Sequence, residues 1–338
     1  MAKKKLFEKH QGHLQHKPIT LCGEPMPCVS EAKLLGDWLS SDGVSQSVAT
    51  TVKKRKGLAI ASIYEIRAVV EDCRSNAIGG LKTGIDLWEA AVLPMLLYNA
   101  ETWMSISKST LNELEDIQKR FYRCLMSVGS GCPIPSLYLE TGGMLMSNRI
   151  LLKKLLFLHH LATLPETSLA KEVYNLQTQL NLPGLVSECQ EFLRDHELVD
   201  IQKFNKYQWK RKIKQIVLDK NKDDLIEMSR KYKKINFDSE TDLNTRHHFM
   251  HELNVEDARM LFKIRSNMVP SIQMNFPNDK NFTSNMWLCV GCKVCLDTQT
   301  HVTLCKSYES TRTGLDLSQD RDLVEYFRNI VKLRNLAC

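Results

Sequence analysis

The sequence predicts a mainly α protein with a short β element near its N-terminus and a small C-terminal unit organised by cysteines and a histidine. Three observations predict it. From Val44 onward the apolar residues recur mostly at helical spacing. Before that point there are only short stretches punctuated by Gly, Pro, Asp and Ser. Near the other end, four of the 11 cysteines fall between positions 289 and 305, together with one histidine. At 338 residues, 43% hydrophobic and 25% charged, the composition excludes large-scale disorder and suggests about two domains.

Taken in order, Ile19 to Leu21, a turn at Gly23-Glu24-Pro25, and Lys33 to Leu39 bounded by Ser40, Asp42 and Gly43 read as short strands. They are too few to make a sheet alone. Leu58, Ile60, Ile63 and Ile66 mark a helix expected to open with Lys53, Lys54, Arg55 and Lys56. That tetrad suits a nuclear-import signal, a phosphate contact or simply a solvated first turn. Thr110-x-x-Glu113 has the form of a capping box, followed at helical spacing by Leu111, Leu114, Ile117, Phe121, Leu125 and Val128. The other face of this helix carries Lys119, Arg120 and Arg123, and Gly129 with Gly131-Cys132-Pro133 ends it. Arg149 to Leu164 is another amphipathic helix, with Lys153 and Lys154 paired. Its adjacent His159 and His160 diverge by about 100° and so make poor partners at one metal. A loop is expected from Asn278 to Asn285, and a short terminal helix from Asp322 to Leu336.

The net charge of +7 is concentrated. Between Lys203 and Lys234 there are 12 Lys/Arg against 4 Asp/Glu, with Tyr207, Trp209 and Tyr232 set among them. Cations neutralise phosphates and aromatic faces stack on bases, so Trp209 with Lys210, Arg211, Lys212 and Lys214 points to nucleic-acid binding. The competing reading is an amphipathic helix whose apolar face is Trp209, Ile213, Ile216 and Val217.

Cys289, Cys292, His301 and Cys305 form C-x2-C-x8-H-x3-C. Two thiolates two residues apart can take adjacent vertices of a tetrahedron across one turn, and a His and a Cys one helical turn apart can supply the others. A four-ligand Zn2+ site of this kind is closed and structural, without an activated water. Cys295 is the alternate ligand, since Cys292 and Cys295 also form C-x2-C. This spacing and the odd cysteine count fit a reducing compartment, nuclear or cytoplasmic. The basic start has no apolar stretch behind it, and no window reaches the roughly eighteen apolar residues of a membrane span.

Several enzyme signatures are missing: there is no P-loop, no G-x-G-x-x-G after a strand and no G-x-S-x-G elbow. Asp37 and Asp42 stand alone near a strand, and Asp223-Asp224 lies within the basic helical block, so no carboxylate pair suggests two-metal catalysis. The segments LLGDWLSSDG (34 to 43), KKRKGLA (53 to 59), VLPMLLYNAETW (92 to 103), LNELEDIQKRFYRCLM (111 to 126), PIPSLYLETG (133 to 142) and ARMLFKIRSNM (258 to 268), followed by the Cys/His cluster, resemble in order the C-terminal half of reverse transcriptases from non-LTR retrotransposons. The family usually has Tyr where this chain has Leu34. The resemblance implies a palm-edge β element near the primer grip over 1–45, a helical thumb over 46–170, a basic helical linker over 171–285, a zinc knuckle over 286–307 and a helical tail over 308–338. It also implies contact with RNA or an RNA–DNA duplex and with an upstream palm or endonuclease portion. The family's catalytic aspartates would lie upstream of this chain, so the chain alone is expected to bind without catalysing. The alternatives are a zinc-stabilised protein-interaction module and a domesticated retroelement remnant.

Overall fold

The computed structural model describes residues 20–21, 24–25, 29–72, 78–198, 200–232, 248–269, 272 and 288–336. Of the expected turn Gly23-Glu24-Pro25, Gly23 lies outside these and Glu24–Pro25 form a strand, while the loop from Asn278 to Asn285 lies outside. The described chain is mainly helical with short β elements at its N-terminal end, as the periodicity predicts. β1 (Thr20–Leu21) pairs with β2 (Glu24–Pro25), and β3 (Glu31–Leu34) pairs antiparallel with β4 (Asp37–Ser40). Leu35 and Gly36 form the two-residue turn between β3 and β4, with φ of 48° and 92°, the doubly left-handed geometry that matches strand twist. Gly36 is also required by space, because a Cβ there would lie 2.9 Å from the Tyr98 ring.

The hairpin rests on α1 (Val44–Asp72), where Trp38 N–H donates to Thr51 Oγ1 at 2.8 Å and Ser40 N–H donates to Ser47 Oγ at 2.8 Å. Because α1 begins at Val44, the basic tetrad lies within the helix and not at its opening. A helix interior distributes consecutive side chains around its axis, so Lys53 and Lys54 face solvent while Arg55 turns inward, 8% exposed. Arg55 donates to the carbonyls of Gly36 (2.9 Å), Leu96 (3.3 Å) and Tyr98 (2.8 Å) and pairs with Asp37 at 2.6 Å. Burial lowers its pKa, with Asp37 opposing. Asn99 Nδ2 donates to the second Asp37 oxygen at 3.1 Å. Arg55 is therefore a buried clamp and not a phosphate contact, a correction to its expected role.

α2 (Gly80–Leu87) runs on through a π-helical segment, Trp88–Val92, and one α turn, Leu93–Leu96. α3 (Lys108–Met126) is the helix expected from Leu111, but its cap is Ser107, whose oxygen accepts from Thr110 N–H at 3.1 Å. Thr110 is thus inside the first turn and does not begin a capping box. α4 (Ile134–Thr141), α5 (Met146–Ala162), α6 (Leu169–Gln179), α7 (Leu185–Asp195), α8 (Lys206–Ser229), α9 (Val255–Arg265), α10 (Gln299–Leu304) and α11 (Asp320–Leu336) follow.

Two apolar cores organise these helices. The first gathers Ile63, Trp88 and Phe121 with Phe262, Cys289, Val302 and Phe327; Trp88 stacks on Phe121 with centroids 4.4 Å apart. The second is built from Leu155, Leu158, Cys189, Trp209, Ile213 and Val217. α5 supplies Ile150 to the first and Leu155 to the second, and α8 supplies Leu225 to the first and Trp209 to the second. Buried Asn221 ties the two helices, accepting from Leu145 N–H at 2.9 Å and from Asn148 Nδ2 at 3.2 Å. Helices of 17 and 24 residues, at about 1.5 Å per residue, are long enough to reach both cores.

Removing a buried cation that satisfies three carbonyls and a carboxylate leaves all four stranded. Arg55→Ala is expected to lower unfolding free energy by about 3 kcal/mol or more in urea titration. A loss within about 0.5 kcal/mol, the range of ordinary surface substitutions, would refute the clamp.

Candidate metal centre

Residues 288–305 form a short hairpin followed by one small helix. Leu288 bridges Leu296, Cys289 N–H donates to the Cys295 carbonyl at 2.8 Å, and Lys293 N–H donates back to the Cys289 carbonyl at 2.8 Å. Lys293 takes φ of 55° to close this turn. Gly291 lets the turn approach Tyr308, whose ring carbon would be 2.9 Å from any Cβ placed there. Thr298 then caps α10, its oxygen accepting from His301 N–H at 3.0 Å, which satisfies one of the donors a helix start leaves open. His301 falls in the first turn of α10 and Cys305 at its end, so both project toward the hairpin.

The result brings four soft donors together. The ligating atoms of Cys289, Cys292, His301 and Cys305 lie within 4.8 Å of one another. Cys289 Sγ is 3.9 Å from Cys305 Sγ, and Cys292 Sγ is 3.3 Å from His301 Nε2. With metal–sulfur bonds of about 2.3 Å, two sulfurs at tetrahedral vertices stand roughly 3.8 Å apart, so these separations suit a four-coordinate ion. Cys295 is exposed and contributes its backbone carbonyl to the turn, and its thiol is not in the cluster. The choice between Cys292 and Cys295 thus falls to Cys292.

One thiol of the cluster is held toward its thiolate. Backbone N–H groups of Cys295 and Val294 directed at Cys292, with His301 beside it, bring its pKa down to about 6. Burial raises that of Cys289. Behind the cluster, Arg334 of α11 makes a two-pronged pair with Asp297, at 2.9 and 2.8 Å, with the two side chains 4% and 0% exposed. The same guanidinium lies 4.0 Å from Cys289 Sγ and donates to Tyr308 OH at 3.2 Å. Three thiolates and a dipositive ion sum to a net negative charge, and a buried cation in contact with one sulfur offsets it. Spacing could not reveal Gly291, Asp297, Tyr308 and Arg334 as members of this site, since Gly, Tyr and Arg fall outside the Cys/His pattern and the Asp297 carboxylate is taken by Arg334. The Arg and Asp meet only when α11 packs against the hairpin.

The basic candidates separate by environment. Lys210, Arg211, Lys212 and Lys214 are exposed along α8, and none of them forms an ion pair among the described residues; Lys212 sits over the Phe204 ring at 4.9 Å. Trp209 is 1% exposed, donates Nε1–H to the Leu155 carbonyl at 2.9 Å and stacks on His159. It cannot offer a face to a base, which corrects that expectation in favour of the apolar-face reading. His160, next to His159, is exposed, so the two histidines diverge as adjacent positions should. Lys154 is 7% exposed and paired with Glu188, so it too is structural and not a free phosphate contact. Lys153 pairs with Glu101 at 3.1 Å and Lys56 with Glu113 at 3.0 Å. Lys119 pairs with Asp116 at 3.0 Å, Arg120 donates to Tyr64 OH at 2.5 Å, and Arg123 donates to the Ser130 carbonyl at 3.4 Å. Lys54 lies over the Trp38 ring at 4.7 Å. The described residues contain no helix long and apolar enough to cross a membrane.

Comparison of this chain with family models, with curated proteins and with solved structures finds no match.

Cobalt is a suitable spectroscopic probe for this donor set. Co2+ added to the reduced protein is expected to give thiolate charge-transfer and tetrahedral d–d bands that survive Cys295→Ser and disappear or shift in Cys292→Ser and Cys305→Ser. The reverse dependence on Cys292 and Cys295 would move the ligand role to Cys295.

Proposed function

We propose that this chain binds nucleic acid, RNA or an RNA–DNA duplex, on a helical scaffold braced by one structural Zn2+, in the manner of the C-terminal portion of a non-LTR retrotransposon reverse transcriptase. The observation that carries the reading is the division of α8. Its inner side is buried in both cores through Trp209, Ile213, Val217 and Leu225, and its outer side carries Lys210, Arg211, Lys212 and Lys214 exposed without ion-pair partners among the described residues. Unneutralised cations spread over the exposed arc of a rigid helix suit a phosphate backbone, whose repeating charges release counterions on contact. The ordered set of segments that resemble that family supports the same reading. With Trp209 enclosed, the surface is led by cations, which favours backbone contact, and Tyr207, 84% exposed three residues before Lys210, is the aromatic face left on it.

Zn2+ suits the Cys/His centre because the donor set is soft, complete and partly buried, which leaves no coordination position for water. In this reading the ion holds the 288–305 segment against α11 and takes no part in chemistry. Asp37, the carboxylate beside the palm-like hairpin, has both oxygens engaged, one by Arg55 and one by Asn99. It is therefore a structural acceptor in this proposal and not a Mg2+ ligand, and the chain alone does not extend a primer.

Fluorescence anisotropy against labelled single-stranded RNA and an RNA–DNA duplex tests the binding. Changing Lys210, Arg211, Lys212 and Lys214 to Gln is expected to weaken binding to all sequences about equally and to flatten the dependence of log affinity on log salt by roughly one unit for each phosphate no longer neutralised. Affinity that ignores both salt and these substitutions would sink the proposal. Metal analysis should return one zinc per chain, and primer-extension assays with Mg2+ or Mn2+ should show no incorporation. Reproducible incorporation abolished by Asp37→Asn would overturn the non-catalytic part.

A further inference from the structure

α6 is amphipathic in the unexpected sense. The residue it buries is a lysine: Lys171 is 2% exposed and donates to the Ala162 carbonyl at 2.6 Å, with Glu166 3.5 Å away. Opposite it, four aliphatic residues face solvent: Leu169 is 74% exposed, Val173 46%, Leu176 45% and Leu180, at the C-cap, 62%. Positions 169, 173, 176 and 180 are spaced four, three and four apart, the interval that lines side chains into one seam on a helix. Leu182, 42% exposed, continues it past the helix end, where Asn181 turns through a φ of 48° and Leu182 N–H bonds back to the Gln177 carbonyl at 3.1 Å. A helix that was only packing on the body would bury the leucines and leave the lysine in water. Here the lysine is committed inward by a carbonyl and a carboxylate, so the seam faces out by construction.

We propose that this seam is a self-association surface, through which two copies of the chain pair α6 against α6 antiparallel about a two-fold axis passing between Val173 and Leu176. Three features select a second copy as occupant. The four-three-four spacing reads the same in both directions, so an antiparallel mate sets Leu169 against Leu180 and Val173 against Leu176 at every level, the self-complementarity that a two-fold interface requires. The flanks of the seam are Ala170 and Gln177 on one side and Glu172 and Gln179 on the other, so bringing copies together confronts almost no like charge, unlike the cations of α8. Finally, five partly exposed aliphatic side chains form a patch of a few hundred Å2, in the range that marks contact sites, and two such patches with their polar rims approach the roughly 1,200 Å2 at which specific pairs become stable.

Light scattering and sedimentation of the full chain test this directly. The wild type is expected at twice the mass of the chain at micromolar concentration and to remain so at about 1 M salt, because an apolar seam is not screened. Val173→Glu with Leu176→Glu, and separately Val173→Lys with Leu176→Lys, should each give a monomer with unchanged circular dichroism and melting. Mixing the two oppositely charged variants should restore a dimer. A monomeric wild type, which would leave the seam to some other partner, overturns the proposal, as does a dimer that persists in both variants.

Discussion

The C-terminal third of the structure depends on one buried ion pair, Arg334 with Asp297. It joins α11 to the turn between the cysteine hairpin and α10, and it places a cation against the sulfur of Cys289. A buried pair of this kind contributes little net stability relative to an apolar substitute, since desolvation offsets most of the attraction. Its value is specificity: the guanidinium fork accepts one arrangement of carboxylate, phenol and sulfur, and any other packing of α11 leaves charges stranded. The Tyr326 hydroxyl, donating to the Val302 carbonyl at 2.6 Å, adds a second tie between the same helix and α10. The Cys/His cluster is therefore part of the first core, with Cys289, Val302 and Cys305 packed alongside Tyr326 and Ile330.

The same device recurs elsewhere. Arg55 gathers carbonyls from the β3–β4 turn and from the segment after the π-helical stretch. Arg259 of α9, 4% exposed, donates to the carbonyl of Leu125 near the end of α3 at 2.8 Å and pairs with Glu71 at 3.0 Å. Each arginine joins segments far apart in the chain where apolar packing alone would allow sliding. Several basic residues are thus engaged inside the fold or in surface pairs, whereas Lys210, Arg211, Lys212 and Lys214 of α8 are exposed without ion pairs among the described residues.

α8 and α6 illustrate opposite uses of an amphipathic helix. In α8 the apolar side is satisfied internally and the charged side is left to solvent, the arrangement on which the proposed polyanion binding rests. In α6 the internal contact is polar and the apolar side is left over. Both helices lie largely within 171–285, the stretch the resemblance implied was a helical linker, and the second core takes in Leu185, Cys189 and Trp209 from it.

Much of this was legible in the residues. The helices at 108–126 and 146–162 follow from apolar periodicity, because burial of one face is a local, repeating demand on the sequence. The four metal donors follow from spacing, because a turn and a helical turn have fixed reach. Other features were decided only by tertiary structure. Arg55 and its neighbours Lys53 and Lys54 look alike in sequence, and only the arrival of the β3–β4 turn and the Leu96–Tyr98 carbonyls makes one of them a clamp. Trp209 reads equally well as a stacking face or a core residue until α5 closes over it and the Leu155 carbonyl takes its N–H. Cys292 and Cys295 have the same spacing signature, and the register of the hairpin, set by the Cys289–Cys295 backbone bond, alone turns one sulfur inward and the other out. Periodicity and spacing encode what a segment can do by itself; which of two equivalent side chains does it depends on what arrives from elsewhere in the chain.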